Sequence, residues 1–221
     1  MLDGVLFDLD GTLADTAPDL GGALNHLRQL RGLEPMALDI LRPHASSGAR
    51  GMIGVGLGIM PGHEEYETLR VTFLDHYENN LLVDSRLFDG VPDLLAALDA
   101  SGLAWGIVTN KATRFTQPLV TGIGLRPPRD CVVCGDTTPH PKPHPAPLLE
   151  AARRLDVAPA RCLYVGDDER DILAARAAGM RSVAAAYGYL GLVKPPEQWG
   201  ADVVVNSPAE LLQWLRSTLP V

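Results

Sequence analysis

Near the N-terminus the hydrophobic positions run unbroken from Val5 to Phe7, then give way to Asp8-Leu9-Asp10-Gly11-Thr12-Leu13. An apolar run that stops abruptly at a carboxylate predicts a short buried strand. The period then changes. Leu20, Ala23, Leu24, Leu27 and Leu30 share one helical face between Pro18 and Arg31, and Gly32 closes that element. Met36 to Leu41 predicts a second helix. Ser46 to Gly51 leads into a run punctuated by Gly54, Gly56 and Gly58, which reads as a roomy, adaptable surface. His63 to Leu81 predicts a further helix, with Tyr66, Leu69, Phe73 and Tyr77 on one side. The next strand pattern is Ala104 to Val108. A crossover between parallel strands needs only about a dozen residues, so a helical stretch of roughly seventy reads as an inserted domain.

From Gly90 onward helix and strand alternate. The pattern predicts helices over Val91 to Leu98, 113–122, a stretch ending at Leu155, Arg170 to Ala178, and a last one after Ser207. Strands fall at 104–108, Cys131 to Cys134, Cys162 to Val165, Ser182 to Ala185 and Val203 to Val205. This alternation predicts an α/β fold, a Rossmann-like parallel sheet with helices on both faces. The core takes residues 1–15 and 85–221, and the helical insertion takes 16–84.

Open sheets of this kind bind ligands at the carboxyl ends of their strands, and that is where the chemistry-bearing residues gather. Asp8 and Asp10, two apart on extended backbone, point the same way, and Gly11 lets the chain approach a ligand. Two acids crowded at a buried strand end repel unless a cation or a division of labour relieves them. Thr109-Asn110 closes the next strand, Lys142 lies in the proline-rich stretch Pro139 to Pro145, and Gly166-Asp167-Asp168-Glu169-Arg170-Asp171 follows the strand from Cys162. Singly these read as a turn, a solvated lysine and a helix cap. Lysine is scarce, however, occurring only at 111, 142 and 194. Together the acids, the hydroxyl and the cation can hold a divalent metal and a phosphate.

Bulk properties narrow the class. A net charge of −8 argues against a nucleic-acid surface, and an anionic substrate needs a locally positive site. No apolar run reaches the ~20 residues of a membrane span. The early first strand leaves no room for a signal peptide, and three cysteines fit a reduced cytoplasmic setting. Cys131-x-x-Cys134 with His140 and His144 imitates zinc spacing, but residues three apart on a strand face opposite sides. Oligomeric state stays open between monomer and homodimer.

The set Asp8-x-Asp10-Gly11-Thr12, Thr109-Asn110, Lys142-Pro143 and Gly166-Asp167-Asp168-x-x-Asp171 resembles the four ordered signature motifs of the haloacid dehalogenase superfamily. The helical insertion resembles that family's mobile cap, with hinges near Ala14-Asp15-Thr16 and Leu82 to Arg86. The resemblance implies a phosphatase in which Asp8 is the nucleophile and Asp10 the general acid and base. It implies Mg²⁺ on Asp8, Asp167 and the backbone carbonyl of Asp10, with Asp168 and Asp171 as outer acids. Phosphate oxygens would meet Thr109, Asn110, Lys142 and the backbone N–H groups of Leu9 and Asp10. A phosphosugar mutase shares these groups, and a non-catalytic binding module of the same fold is the remoter alternative. Within the superfamily the chain looks like the phosphoglycolate phosphatase branch. The segments Leu87-Phe88-Asp89-Gly90, Trp105 to Lys111, Tyr187-Gly188-Tyr189 and Trp199 to Val205 are similar to N-acetylmuramic acid 6-phosphate phosphatases of cell-wall sugar recycling. Arg50 is the candidate for the far end of a small phosphorylated metabolite, since arginine suits a carboxylate; His44 is a weaker one.

Overall fold

The N-terminal apolar run is strand β1 (Gly4–Phe7), buried along its whole length. The computed structural model describes residues 2–191 and 193–218; the terminal residues of the core range, 1 and 219–221, lie outside these. The further strands are β2 (Ala14–Asp15), β3 (Arg86–Leu87), β4 (Ala104–Val108), β5 (Val132–Val133), β6 (Cys162–Gly166), β7 (Arg181–Ala185) and β8 (Val203–Val205). The helices are α1 (Ala17–Leu30), α2 (Leu38–Leu41), α3 (Gly48–Leu57), α4 (Tyr66–Asn79), α5 (Val91–Ser101), α6 (Thr113–Gly122), α7 (Ala146–Leu155), α8 (Glu169–Ala177) and α9 (Pro208–Thr218).

Six strands form one parallel sheet in the order β5-β4-β1-β6-β7-β8. Phe7 stands in register with Ile107 on one side and Val165 on the other. The chain builds outward from β1 in one direction and then returns to its other side. The reversal of strand order therefore lies beside β1, the place where such sheets hold ligands. Side chains alternate between two apolar layers. Val5, Phe7, Ile107 and Val165 pack with α5, α6 and α9, whereas Leu6, Val108 and Tyr164 pack with α7 and α8. Burial on both faces explains why β1, β4 and β6 read as nearly continuous apolar runs. Cys131 and Cys134 fall in opposite layers, and the three cysteines are free.

Helices α1 to α4 gather around an apolar cluster that includes Leu24, Met52, Ile53, Phe73 and Tyr77 and is joined from the sheet side by Phe115 and Tyr189. The chain enters and leaves this unit through β2 and β3, which pair antiparallel. Asp19 ties the two crossings together, accepting from the N–H groups of Asp84 (2.9 Å) and Ser85 (3.1 Å) and from the Ser85 hydroxyl (2.6 Å). The glycine-punctuated stretch corrects the sequence reading: it is helix α3, ended by Gly58 at φ 69°. A side chain at Gly56 would run into Leu24, so this glycine lets α3 lie against α1. Close packing, and no slack surface, explains it. The second predicted helix is a single turn that continues as 3₁₀ turns over Arg42–Ser47. Among the described residues no helix is long and apolar enough to cross a membrane.

Candidate active site

Where the burial of β1 ends, Asp8 emerges; β6 ends one residue before Asp167, and Asp171 sits in the first turn of α8. Single oxygens of Asp8, Asp167 and Asp171 all lie within 4.8 Å of one another. Residues far apart in sequence thus converge because the paired parallel strands β1 and β6 end side by side. Asp167 is fixed from two directions, accepting from the Thr12 hydroxyl (3.0 Å) and the Tyr189 N–H (2.8 Å). Gly11, at φ 84°, passes so close that any side chain there would strike the Asp167 carboxylate. Asp8 accepts from the Leu9 N–H at 2.7 Å.

Lys142 reaches into this cluster and is 3% exposed. Its Nζ lies 2.7 Å from Asp171 and 3.0 Å from Asp8, and it donates to the Tyr164 hydroxyl (2.8 Å) and the Val108 carbonyl (3.1 Å). Asn110 holds the loop that carries it. The Asn110 amide donates to the Lys142 carbonyl (2.9 Å), and the Lys142 N–H donates to the Asn110 side-chain oxygen (2.8 Å). Both polar ends of the Asn110 side chain are therefore engaged with the Lys142 backbone, and Asn110 lines the same cavity as Asp8 and Lys142. Thr109 is buried beside it and its hydroxyl accepts from the Lys111 N–H.

Three carboxylates meet here and the one ammonium among them pairs with two, Asp8 and Asp171, an imbalance that shows at Asp8 and Asp167. Burial, opposed by Lys142 and reinforced by Asp171 and Asp10, pushes the Asp8 carboxyl up to about 7. Burial together with Asp8 and Asp171 pushes Asp167 well above the usual carboxylate range. Burial works against the Lys142 charge, but Asp171 and Asp8 outweigh it and raise its pKa. An all-oxygen, anion-rich donor set fits a hard divalent cation such as Mg²⁺. The linkage gives a pH prediction. The folded protein without metal keeps a proton on Asp8 between 3.8 and about 7, a range in which the unfolded chain has lost it. That stabilising contribution is complete below 3.8 and is lost as pH rises through about 7. A cation needs the deprotonated carboxylate, so added Mg²⁺ should raise Tm more at about pH 8 than at about pH 5.5. Thermal melts across pH with and without Mg²⁺ check this.

Asp10 stands one step away. Its Oδ1 receives the Lys111 ammonium (2.6 Å) and the Thr16 hydroxyl (2.5 Å). The Lys111 side chain is 9% exposed, and its Nζ lies 4.9 Å from the centre of the Tyr77 ring on α4. Asp8, Asp10, Thr109, Lys142 and Asp171 line a cavity of about 340 Å³, closed on its other side by residues of α1, α3 and α4 and the turns before α3. Asp168, read as an outer metal acid, is absent from the carboxylate cluster. It caps α8 and pairs with Arg170, whose guanidinium also donates to the Ser46 carbonyl (2.9 Å). Arg50 and His44 do not line the cavity. They lie in an outer groove that shares Ser47, Asp168 and Arg170 with it. Lys111, Tyr77 and Tyr164 went unassigned in the sequence. Only Lys111, directly after Thr109-Asn110 in a lysine-poor chain, carried a signal that could have marked it.

A family model described as haloacid dehalogenase-like hydrolase matches residues 5–185. An N-acetylmuramic acid 6-phosphate phosphatase of Pseudomonas aeruginosa is 43% identical over 218 residues, covering 99% of this chain and 96% of that protein. A phosphoglycolate phosphatase of Xanthomonas campestris is 47% identical over 207 residues, covering 94% and 93%. The crystal structure of a predicted phosphoglycolate phosphatase from Haemophilus somnus is similar at a TM-score of 0.82 and 29% identity, covering 96% of this chain and 97% of that one.

Proposed function

The chain belongs to the haloacid dehalogenase-like hydrolases, and from that premise we propose that it hydrolyses a phosphate monoester through an aspartyl-phosphate intermediate on Asp8. An Asp8 oxygen attacks phosphorus in line and the ester oxygen departs. Asp10 is held at Oδ1 by Lys111 and Thr16, which leaves its other oxygen for proton transfer in this reading. It protonates the leaving alkoxide and then takes a proton from the water that hydrolyses the acyl phosphate. Lys142, Thr109 and backbone N–H groups face the charge that develops on the phosphoryl oxygens. A magnesium ion bound by Asp8, Asp167 and the Asp10 carbonyl, with Asp171 beside them, would supply the charge that lets an anionic nucleophile meet an anionic phosphate. The helical unit, 16–84, acts as a cap domain hinged at β2 and β3. The observation that carries this reading is the meeting of Asp8, Asp167 and Asp171, with Lys142 paired to Asp8 and Asp171 in the wall of a cavity.

For the substrate we propose N-acetylmuramic acid 6-phosphate. The cavity falls within the range of ligand pockets, about 300–1,000 Å³, and is roomy for a two-carbon acid. The groove that holds Arg50 adjoins it through Ser47, Asp168 and Arg170, so in this reading the carboxylate of a longer substrate extends to Arg50. The 47% identical relative keeps 2-phosphoglycolate as the second reading. The kcat/KM ratio for the two compounds tests this. The expected result is a preference of at least about ten-fold for the sugar phosphate, or ~1.4 kcal/mol in transition-state binding; a preference for phosphoglycolate removes the proposal.

A further inference from the structure

Buried polar groups in folded proteins almost always have a hydrogen-bond partner. Among the described residues, two buried side-chain polar atoms have none: the hydroxyl oxygens of Ser46 and Tyr77. Both residues line the same cavity, on the helical side across from the carboxylates. Tyr77 is 2% exposed, and its ring is clamped between Phe73 and Phe115, with centroids 6.4 and 5.6 Å away. Its hydroxyl is therefore held in a fixed place. The Lys111 ammonium, paired with Asp10, also donates toward this oxygen, so a lone pair of the hydroxyl is met while its proton has no acceptor. Burial pushes the phenol up to about 12, so it carries its proton and can donate.

The rest of the helical wall sharpens the chemistry. The residues that α1, α3, α4 and the turns before α3 contribute to the cavity are all uncharged. Each cation that lines it already faces a carboxylate: Lys111 on Asp10, Lys142 on Asp8 and Asp171, Arg170 on Asp168. The wall thus lacks a charge for an anion and offers two hydroxyls in need of partners, bordered by Phe73 and Leu74.

We infer that Tyr77 and Ser46 form a leaving-group subsite that hydrogen-bonds the hydroxyl or amide groups of a neutral, ring-like portion of the substrate. The inference rests on the phosphomonoesterase reading and deepens it. Tyr77 and Ser46 select which phosphate ester is used, while Asp8 and Lys142 handle the phosphoryl group common to all of them. The subsite favours a sugar over a two-carbon acid, because a carboxylate placed here would meet no unpaired cation.

The test compares esters that share phosphorus chemistry and differ in leaving group. Tyr77→Phe removes only the oxygen and keeps the ring beside Lys111; Ser46→Ala does the same at the second position. With N-acetylmuramic acid 6-phosphate and p-nitrophenyl phosphate as substrates, kcat/KM for the sugar ester should fall about ten-fold further than for the aryl ester, mainly through KM. The Tm of Tyr77→Phe should stay close to that of the wild type, since the hydroxyl it removes has no acceptor for its proton and Lys111 keeps its pairing with Asp10. Equal losses on both esters, no loss on either, or a fall in Tm would overturn the subsite. If the wild-type enzyme ignores the muramic ester, the substrate proposal above fails separately, and glucose 6-phosphate carries the same comparison. A wild-type enzyme that hydrolyses the aryl ester and neither sugar ester overturns the subsite too.

Discussion

Asp8→Asn is expected to leave a folded protein that turns over no phosphate ester at a measurable rate. An amide of the same shape cannot form the acyl phosphate, and loss of a covalent nucleophile lowers kcat by on the order of 10⁴-fold or more. The fold should not suffer. Asp8 belongs to a cluster with more carboxylates than cations, and its own carboxyl is already pushed up to about 7 by burial and its neighbours. Replacing it with a neutral group relieves that repulsion, so the Tm of the metal-free variant at about pH 8 should equal or exceed that of the wild type. Steady-state kinetics and thermal melts on the same preparation check both halves. Near wild-type activity would remove Asp8 as nucleophile. Lost activity with a lower Tm would show that Asp8 is structural.

Lys142→Met should be damaging in the other direction. The ammonium faces Asp8 and Asp171 and donates to the Tyr164 hydroxyl and the Val108 carbonyl, all at 2.7 to 3.1 Å. Removing one partner of a buried ion pair leaves uncompensated charge and costs about 3–5 kcal/mol. In a chain of this length that lowers Tm by roughly 10 °C. Activity should fall as well, because phosphate loses its main cation. Asp171→Asn added to Lys142→Met should recover part of the lost stability, since it removes the charge left stranded. Chemical denaturation of both single variants and the double variant measures the coupling. A Lys142→Met protein as stable as the wild type would mean that the ion pair contributes nothing to the fold.

What the sequence disclosed and what it hid divide along physical lines. Strands buried on both faces leave a continuous apolar run, and its end is marked by the first charged residue. Asp8 and Asp167 were therefore legible as a converging pair from the ends of β1 and β6 alone. Helices α1, α4 and α6 were legible because their apolar positions keep a helical period. The two-residue strands β2 and β3 are too short to show any period, although the segments that hold them were read as crossings. Helix α3 was hidden in part because two of its glycines, Gly56 and Gly54, answer to Leu24 and Met60, contacts that exist only after α1 and the loop beyond α3 are in place. Side-chain partners were the least legible feature of all. The cap that Asp168 makes on α8 was within reach of the sequence, but nothing in the order of residues shows its pairing with Arg170. Nor does it show that Tyr77 would sit beside Lys111, or that Arg50 would lie over the rim in the outer groove.

The claim beneath all of this is that an oxygen of Asp8 receives the phosphoryl group. An acyl phosphate is reduced by borohydride to an alcohol, whereas a free carboxylate is not. The enzyme should therefore be mixed with excess substrate, quenched in acid within milliseconds, reduced with borodeuteride, digested and sequenced by mass spectrometry. The account predicts a deuterium-labelled alcohol at position 8 and nowhere else, absent when substrate is withheld. Label at Asp10 or Asp167, or a rapid turnover that never labels the peptide carrying Asp8, would contradict it.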